Sequence, residues 1–98
     1  MIIVLSKGHV NPAKLVAYLE AVEHSGAIEA SRKEAGCLHY DIAVSAMKDG
    51  GLSITEVWEG FPGLQGHMKG EALKKMTEVN QKFGVTYEAA LYKADPLG

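Results

Sequence analysis

The chain is short of several things, and each shortage excludes a class of protein. There is one cysteine, Cys37, in 98 residues, which leaves no internal disulfide framework. Lys and Arg number ten against twelve Asp and Glu, for a net charge of −2, and Arg32-Lys33 and Lys74-Lys75 are the adjacent basic pairs. Without a basic stripe, nucleic acid is not an expected partner. No apolar run approaches transmembrane length. The opening Met1-Ile2-Ile3-Val4-Leu5 is too short for a secretory h-region and lacks a charged leader, so a cytoplasmic location is the default expectation. The four histidines, His9, His24, His39 and His67, fall on separate segments with no His, Cys or Asp partner at ligand spacing, so no metal site is expected. Gly60, Gly63, Gly66 and Gly70 match neither nucleotide-binding fingerprint.

What remains is an ordinary soluble composition, 47% hydrophobic and 22% charged, enough for one modest core. Residues 1–98 read as a single domain. Ile2 to Ser6 is an apolar, β-branched strand. Asn11-Pro12 starts a helix, with Asn11 as cap and Pro12 in the first turn. Leu15, Leu19, Val22, Gly26 and Ala30 share its inward face. Gly26 predicts a bend near His24-Ser25-Gly26, and Gly36 predicts the left-handed helix end.

Cys37 to Val44 is the second strand, with Leu38, Tyr40, Ile42 and Val44 on one face and Cys37, His39, Asp41 and Ala43 on the other. Lys48-Asp49-Gly50-Gly51 is the hairpin loop, and Leu52 to Glu59 is the third strand. A second helix begins near Pro62 with a stripe of Leu64, Met68, Ala72, Met76, Val79 and Phe83. Its early glycines predict a short or interrupted piece, then a firmer helix from Glu71 to Gly84. Val85 to Lys93 is the last strand.

The order β-α-β-β-α-β implies an α+β, ferredoxin-like fold: a four-stranded antiparallel sheet with two helices on one face. Two helices cover one face only, yet strands one and four are apolar on both sides. A second copy of the chain is the simplest cover, so a homodimer with sheets face to face is expected.

The candidate site starts from Thr55-Glu56-Val57-Trp58-Glu59, with His67 eight residues beyond. Glu56 and Trp58, two apart on a strand, share one face of the sheet, and that face then carries an indole and a carboxylate. His67 is the acid–base candidate because an imidazole titrates near neutrality. Glu56 is expected either to orient it or to raise its pKa, or to pair with a lysine or a backbone turn instead. Trp58 and Tyr40 are expected to hold a planar ring, with Met68, next to His67, as a further contact.

Three stretches then resemble the antibiotic biosynthesis monooxygenase family. They are Glu34-Ala35-Gly36-Cys37-Leu38-His39-Tyr40-Asp41, Glu56-Val57-Trp58-Glu59 and Leu64-Gln65-Gly66-His67. The resemblance spans nearly the whole chain in order and spacing. It implies a dimeric α+β barrel with a pocket between sheet and helices in each subunit. It also implies oxidation of a small phenolic, quinol or polyketide-like aromatic substrate by O₂ without metal, flavin or haem. Other relatives are isomerases, haem-degrading enzymes or proteins without known activity, so a small-molecule isomerase and a non-catalytic dimeric binding or stress-response module stay open beside it.

Two departures bear on the reaction. Many relatives carry a second histidine five residues after the first, where this chain has Ala72. The haem-degrading branch uses a strand-one asparagine and a tryptophan at the position of His67, and neither is present.

Overall fold

The computed structural model describes residues 1–98. Four strands, β1 (Ile2–His9), β2 (Cys37–Val44), β3 (Gly51–Trp58) and β4 (Tyr87–Lys93), form one antiparallel sheet in the order β2-β3-β1-β4. Helices α1 (Leu15–Ser25) and α2 (Ala27–Arg32) follow β1, and α3 (Phe61–Lys69) and α4 (Glu71–Phe83) follow β3. This is the expected ferredoxin-like α+β fold.

The helices form where the sequence supplies their ends. Asn11 Oδ1 accepts from the Ala13 N–H at 3.0 Å, and Pro12–Lys14 makes a single 3₁₀ turn before α1. Gly26 adopts φ 74°, ψ 9°, a left-handed conformation costly for any residue with a Cβ, so the first helical segment breaks at the expected bend. The second breaks at Gly70, in extended backbone, and the longer α4 runs on to Gly84 at φ 67°. In the hairpin loop Asp49 Oδ1 accepts from the Gly51 N–H at 2.9 Å, the local bond for which Asp is favoured in turns.

Several expectations need correction. β1 runs to His9 rather than Ser6, because Lys7, Gly8 and His9 still pair with Ser53, Leu52 and Gly51. β4 begins at Tyr87, not Val85. Helix α2 ends at Arg32, and Gly36 (φ 81°) instead shapes the turn into β2. In β2 the register shifts between Cys37 and His39, so Cys37 faces Trp58, His39 faces Val57 and Tyr40 faces Glu56. A bulge of this kind puts one extra residue in the strand. Leu38 therefore leaves the Tyr40 face and is exposed, whereas Cys37 packs against the core. Met68 also leaves the predicted stripe. The break at Gly70 separates α3 from α4, so their inward faces need not share one helical period, and α3 buries Leu64 and His67.

The core lies between sheet and helices: Val4, Leu52, Ile54, Trp58 and Tyr40 from the strands, against Tyr18, Val22, Leu64 and Met76 from the helices. Tyr18, absent from the predicted stripe, is fully buried. Its hydroxyl donates to Asn80 Oδ1 at 2.6 Å and lies 3.0 Å from the Tyr87 hydroxyl. That network gives the phenol the polar partners a buried tyrosine requires.

The molecule measures 40 × 28 × 18 Å. Its short dimension holds one sheet and one helix layer, about 10 Å apart, and nothing covers the far face of the sheet. Leu5 and Tyr92 on that face are 44% and 53% exposed, with Ile3, Val57 and Ala90 beside them by register.

Candidate functional site

Alternation along β3 puts Leu52, Ile54, Glu56 and Trp58 on the helix side, all buried. Glu56 is the anomaly, since a carboxylate among apolar neighbours needs a partner. Trp58 supplies one: its Nε1–H donates to Glu56 Oε1 at 3.0 Å. Burial still dominates and raises the Glu56 pKa, against the lowering effect of the indole bond and of His67; the Glu34 charge raises it further.

His67 arrives from α3, one helical turn after Leu64, and is 3% exposed. Its ring lies 5.0 Å from that of Trp58 and 5.4 Å from that of Tyr40, centre to centre. Nδ1 lies 2.6 Å from Oε1 of Glu34. A carboxylate facing Nδ1 fixes the proton there and leaves Nε2 with the lone pair. Nε2 makes no hydrogen bond within the protein, and the nearest carboxylate oxygen, Glu56 Oε1, stands at 3.8 Å. The imidazole thus sits between two carboxylates, hydrogen-bonded to one and in electrostatic contact with the other.

Glu34 comes from the turn between α2 and β2. The Gly36 carbonyl accepts from the Glu59 N–H at 2.8 Å, tying this turn to the end of β3. Gly63 lets α3 close on it. A Cβ there would stand 2.9 Å from the Ala35 carbonyl oxygen and 3.3 Å from the Trp58 ring, so a side chain would force the backbone or the ring to shift.

An open cleft of about 660 Å³ lies over this junction, lined by Glu34, Ala35, Gly36, Glu59, Gly60, Pro62, Gly63, Gly66 and His67. Glycines and backbone form most of its wall, and His67 with Glu34 stands at its edge.

The predicted residues fall into two groups. His67, Glu56, Trp58 and Tyr40 are brought together as one buried cluster. Within it Trp58 is 0% and Tyr40 3% exposed; both wall the imidazole rather than the cleft. Met68 is 60% exposed and borders a different shallow groove, with Leu73, Lys74 and Thr77. The position of the second family histidine, Ala72, is buried core. Burial, aided by the Glu56 charge, raises the Tyr40 phenol well above its usual range, while the Ser31 hydroxyl works against the shift. Tyr40 is therefore a hydrogen-bonding group, not a base, near neutral pH.

Sequence reasoning missed Glu34 as a site residue, although it opens the first family-like stretch. It lies 33 positions from His67, and no local spacing announces their contact. No group of three His, Cys, Asp or Glu side chains is arranged to hold a metal ion. No helix is long and apolar enough to cross a membrane.

Comparisons with known proteins agree with this architecture. No curated protein sequence matches the chain. A crystal structure from Deinococcus radiodurans, named as a candidate antibiotic biosynthesis monooxygenase, superposes with a TM-score of 0.84 at 21% identity, over 98% of this chain and 94% of that one. A protein of Nitrosomonas europaea named in the same way gives 0.82 at 18% identity, over 96% and 98%. A conserved protein of Methanosarcina mazei gives 0.81 at 22% identity, over 96% and 92%. These identities speak for a shared fold. The family model described as "Antibiotic biosynthesis monooxygenase" matches residues 1–79, and on that match the chain belongs to the antibiotic biosynthesis monooxygenase family.

Proposed function

We propose that this protein is a cofactor-independent monooxygenase acting on a small phenolic or quinol ring with O₂. The observation that carries the reading is the 2.6 Å bond from His67 Nδ1 to Glu34 at the edge of the cleft. It leaves Nε2 as a base. In this scheme a phenolic O–H gives its proton to Nε2, and Glu34 stabilises the imidazolium. The phenolate passes one electron to O₂, and the aryloxyl radical and superoxide combine at a ring carbon. Proton return from the imidazolium and loss of water leave the quinone. A naphthol and O₂ thus become a naphthoquinone and water, with no external reductant. Tyr40 and Trp58 hold the imidazole ring in place, and a substrate ring reaches them only when α3 shifts.

Oxygen uptake with a panel of hydroquinones and naphthols, with quinone absorbance followed in parallel, tests the scheme. The wild type should consume O₂ well above the His67→Gln variant, and equal rates would refute it. One observation favours a second reading. Trp58 and Tyr40 are enclosed, so the visible cleft offers no aromatic sandwich for a ring. Proton transfer on a small carbonyl compound needs only Nε2 and Glu34. Deuterium exchange into such a compound, without O₂ uptake, would select this isomerase reading. Ligand binding with neither activity would select a non-catalytic binding role.

The protein is also proposed to work as a homodimer, in keeping with the uncovered apolar face around Leu5 and Tyr92. Sedimentation at micromolar concentration should give twice 10.5 kDa. Only 10.5 kDa species would refute the dimer.

A further inference from the structure

Granting that the cleft beside His67 is the substrate site, we infer that it admits uncharged or cationic hydrogen-bond donors and rejects ring substrates bearing a carboxylate, sulfonate or phosphate. The argument starts from what lines it. Glu34 and Glu59 are in the wall, and Glu56, outside the lining, places Oε1 3.8 Å from His67 Nε2. No Lys or Arg is among the lining residues, and His67 is the sole basic group there. The two lining carboxylates outweigh one imidazole whether or not it carries a proton. The remaining wall is Ala35, Gly36, Gly60, Pro62, Gly63 and Gly66, which supplies little to offset that charge. The α3 N-terminus, a place where free N–H groups can receive an anion, begins with Phe61-Pro62, and Pro62 removes one of those donors.

The hydrogen-bonding inventory points the same way. His67 is 97% enclosed, and its Nε2 has no hydrogen-bond partner in the protein. With the proton fixed on Nδ1 by Glu34, Nε2 is an acceptor. Carboxylate oxygens are acceptors too. A ligand must therefore bring donors, as a hydroxylated ring does and an oxyanion does not. An anion entering here meets like charge, and the repulsion is strongest at low ionic strength. The arrangement also acts on the reaction. A phenolate formed beside Glu34 and Glu59 is raised in energy and so gives its electron more readily, while the imidazolium holds it in place.

The test is binding to the whole protein at low ionic strength, read from the His67 ring resonances and by calorimetry, using 1-naphthol and 1-naphthol-4-sulfonate as probes. The expected result is that the sulfonate binds at least tenfold more weakly, that the gap narrows with added salt, and that it narrows again in Glu59→Gln. Glu59 is exposed and makes no side-chain hydrogen bond or ion pair, so this variant keeps the fold and the His67–Glu34 pair. If the sulfonate binds as well as the naphthol, or Glu59→Gln leaves the gap unchanged, the charge selection is refuted while the reading of the His67 site stands. If neither ring moves the His67 resonances, the cleft is not the substrate site and both readings fall.

Discussion

Gly66 sits in α3, lines the cleft, and has nothing within 4 Å of the place where a Cβ would be. Gly66→Ala should therefore separate stability from binding. Replacing a glycine inside a helix by alanine is worth about 1 kcal/mol. Unfolding entropy near 2.1 cal/mol/K per residue over 98 residues is roughly 0.2 kcal/mol/K, so the melting temperature should rise by about 5 °C. The added methyl occupies cleft space, so affinity for a naphthol should fall although His67 is untouched. Gly63→Ala supplies the contrast. Its Cβ would press on the Ala35 carbonyl at 2.9 Å and on the Trp58 ring at 3.3 Å. Overpacking of this kind costs about 1–3 kcal/mol, and the first helical turn returns little of it. Its melting temperature should drop by about 5–15 °C, by the same conversion. Circular dichroism melts of the three proteins, with naphthol titrations, give the answer. If Gly66→Ala melts below the wild type, the space over Gly66 is not open and the cleft as described is wrong.

Further expectations follow from the charged and phenolic groups. His67→Gln should lose about 10²–10⁴-fold in rate if Nε2 is the general base. Glu34→Gln should lose less, because an amide oxygen can still accept from Nδ1–H although the charge that stabilises the imidazolium is gone; an unchanged rate would refute a part for Glu34 in the proton transfer. Glu56 holds its proton more tightly folded than unfolded, so its contribution to stability is present below the ordinary value of 4.5 and fades as pH rises through its raised value. Glu56→Gln keeps an oxygen for the Trp58 N–H, so urea midpoints should show its advantage over wild type growing with pH across that interval; a constant difference would contradict this. Tyr18, Tyr40 and Tyr87 are all raised above 10.0, chiefly by burial. Above pH 10 the unfolded chain therefore binds fewer protons than the native one, and stability should decline as pH climbs. An unchanged urea midpoint between pH 9 and 11 would refute it.

The strand and helix order was legible because it is written locally. Asn11-Pro12, Gly26, Asp49-Gly50, Gly70 and Gly84 each mark a turn or end through their own backbone chemistry. The β2 bulge was not, since two adjacent apolar residues, Cys37 and Leu38, fit either face until the partner strand sets the register. Tyr18 was passed over because Leu19 fills the same helical spacing with a more apolar side chain. What distinguishes Tyr18 is a hydroxyl whose partners, Asn80 and Tyr87, lie more than 60 positions away. The site divides in the same way. Glu56, Trp58 and His67 announce themselves by type and spacing. Glu34 does not, because its role is a tertiary contact that exists only once α3 has docked.

Helix α3 buries two side chains, and one of them is His67. A nine-residue helix anchored by Leu64 and an imidazole is poorly protected against local opening. Its amides should exchange with solvent sooner than those of β1 and β3. On the proposed reading the proton carrier is thus also a latch: a ligand that turns His67 away from Glu34 gives up part of what holds α3, so binding and the opening of the cleft wall would draw on one shared equilibrium.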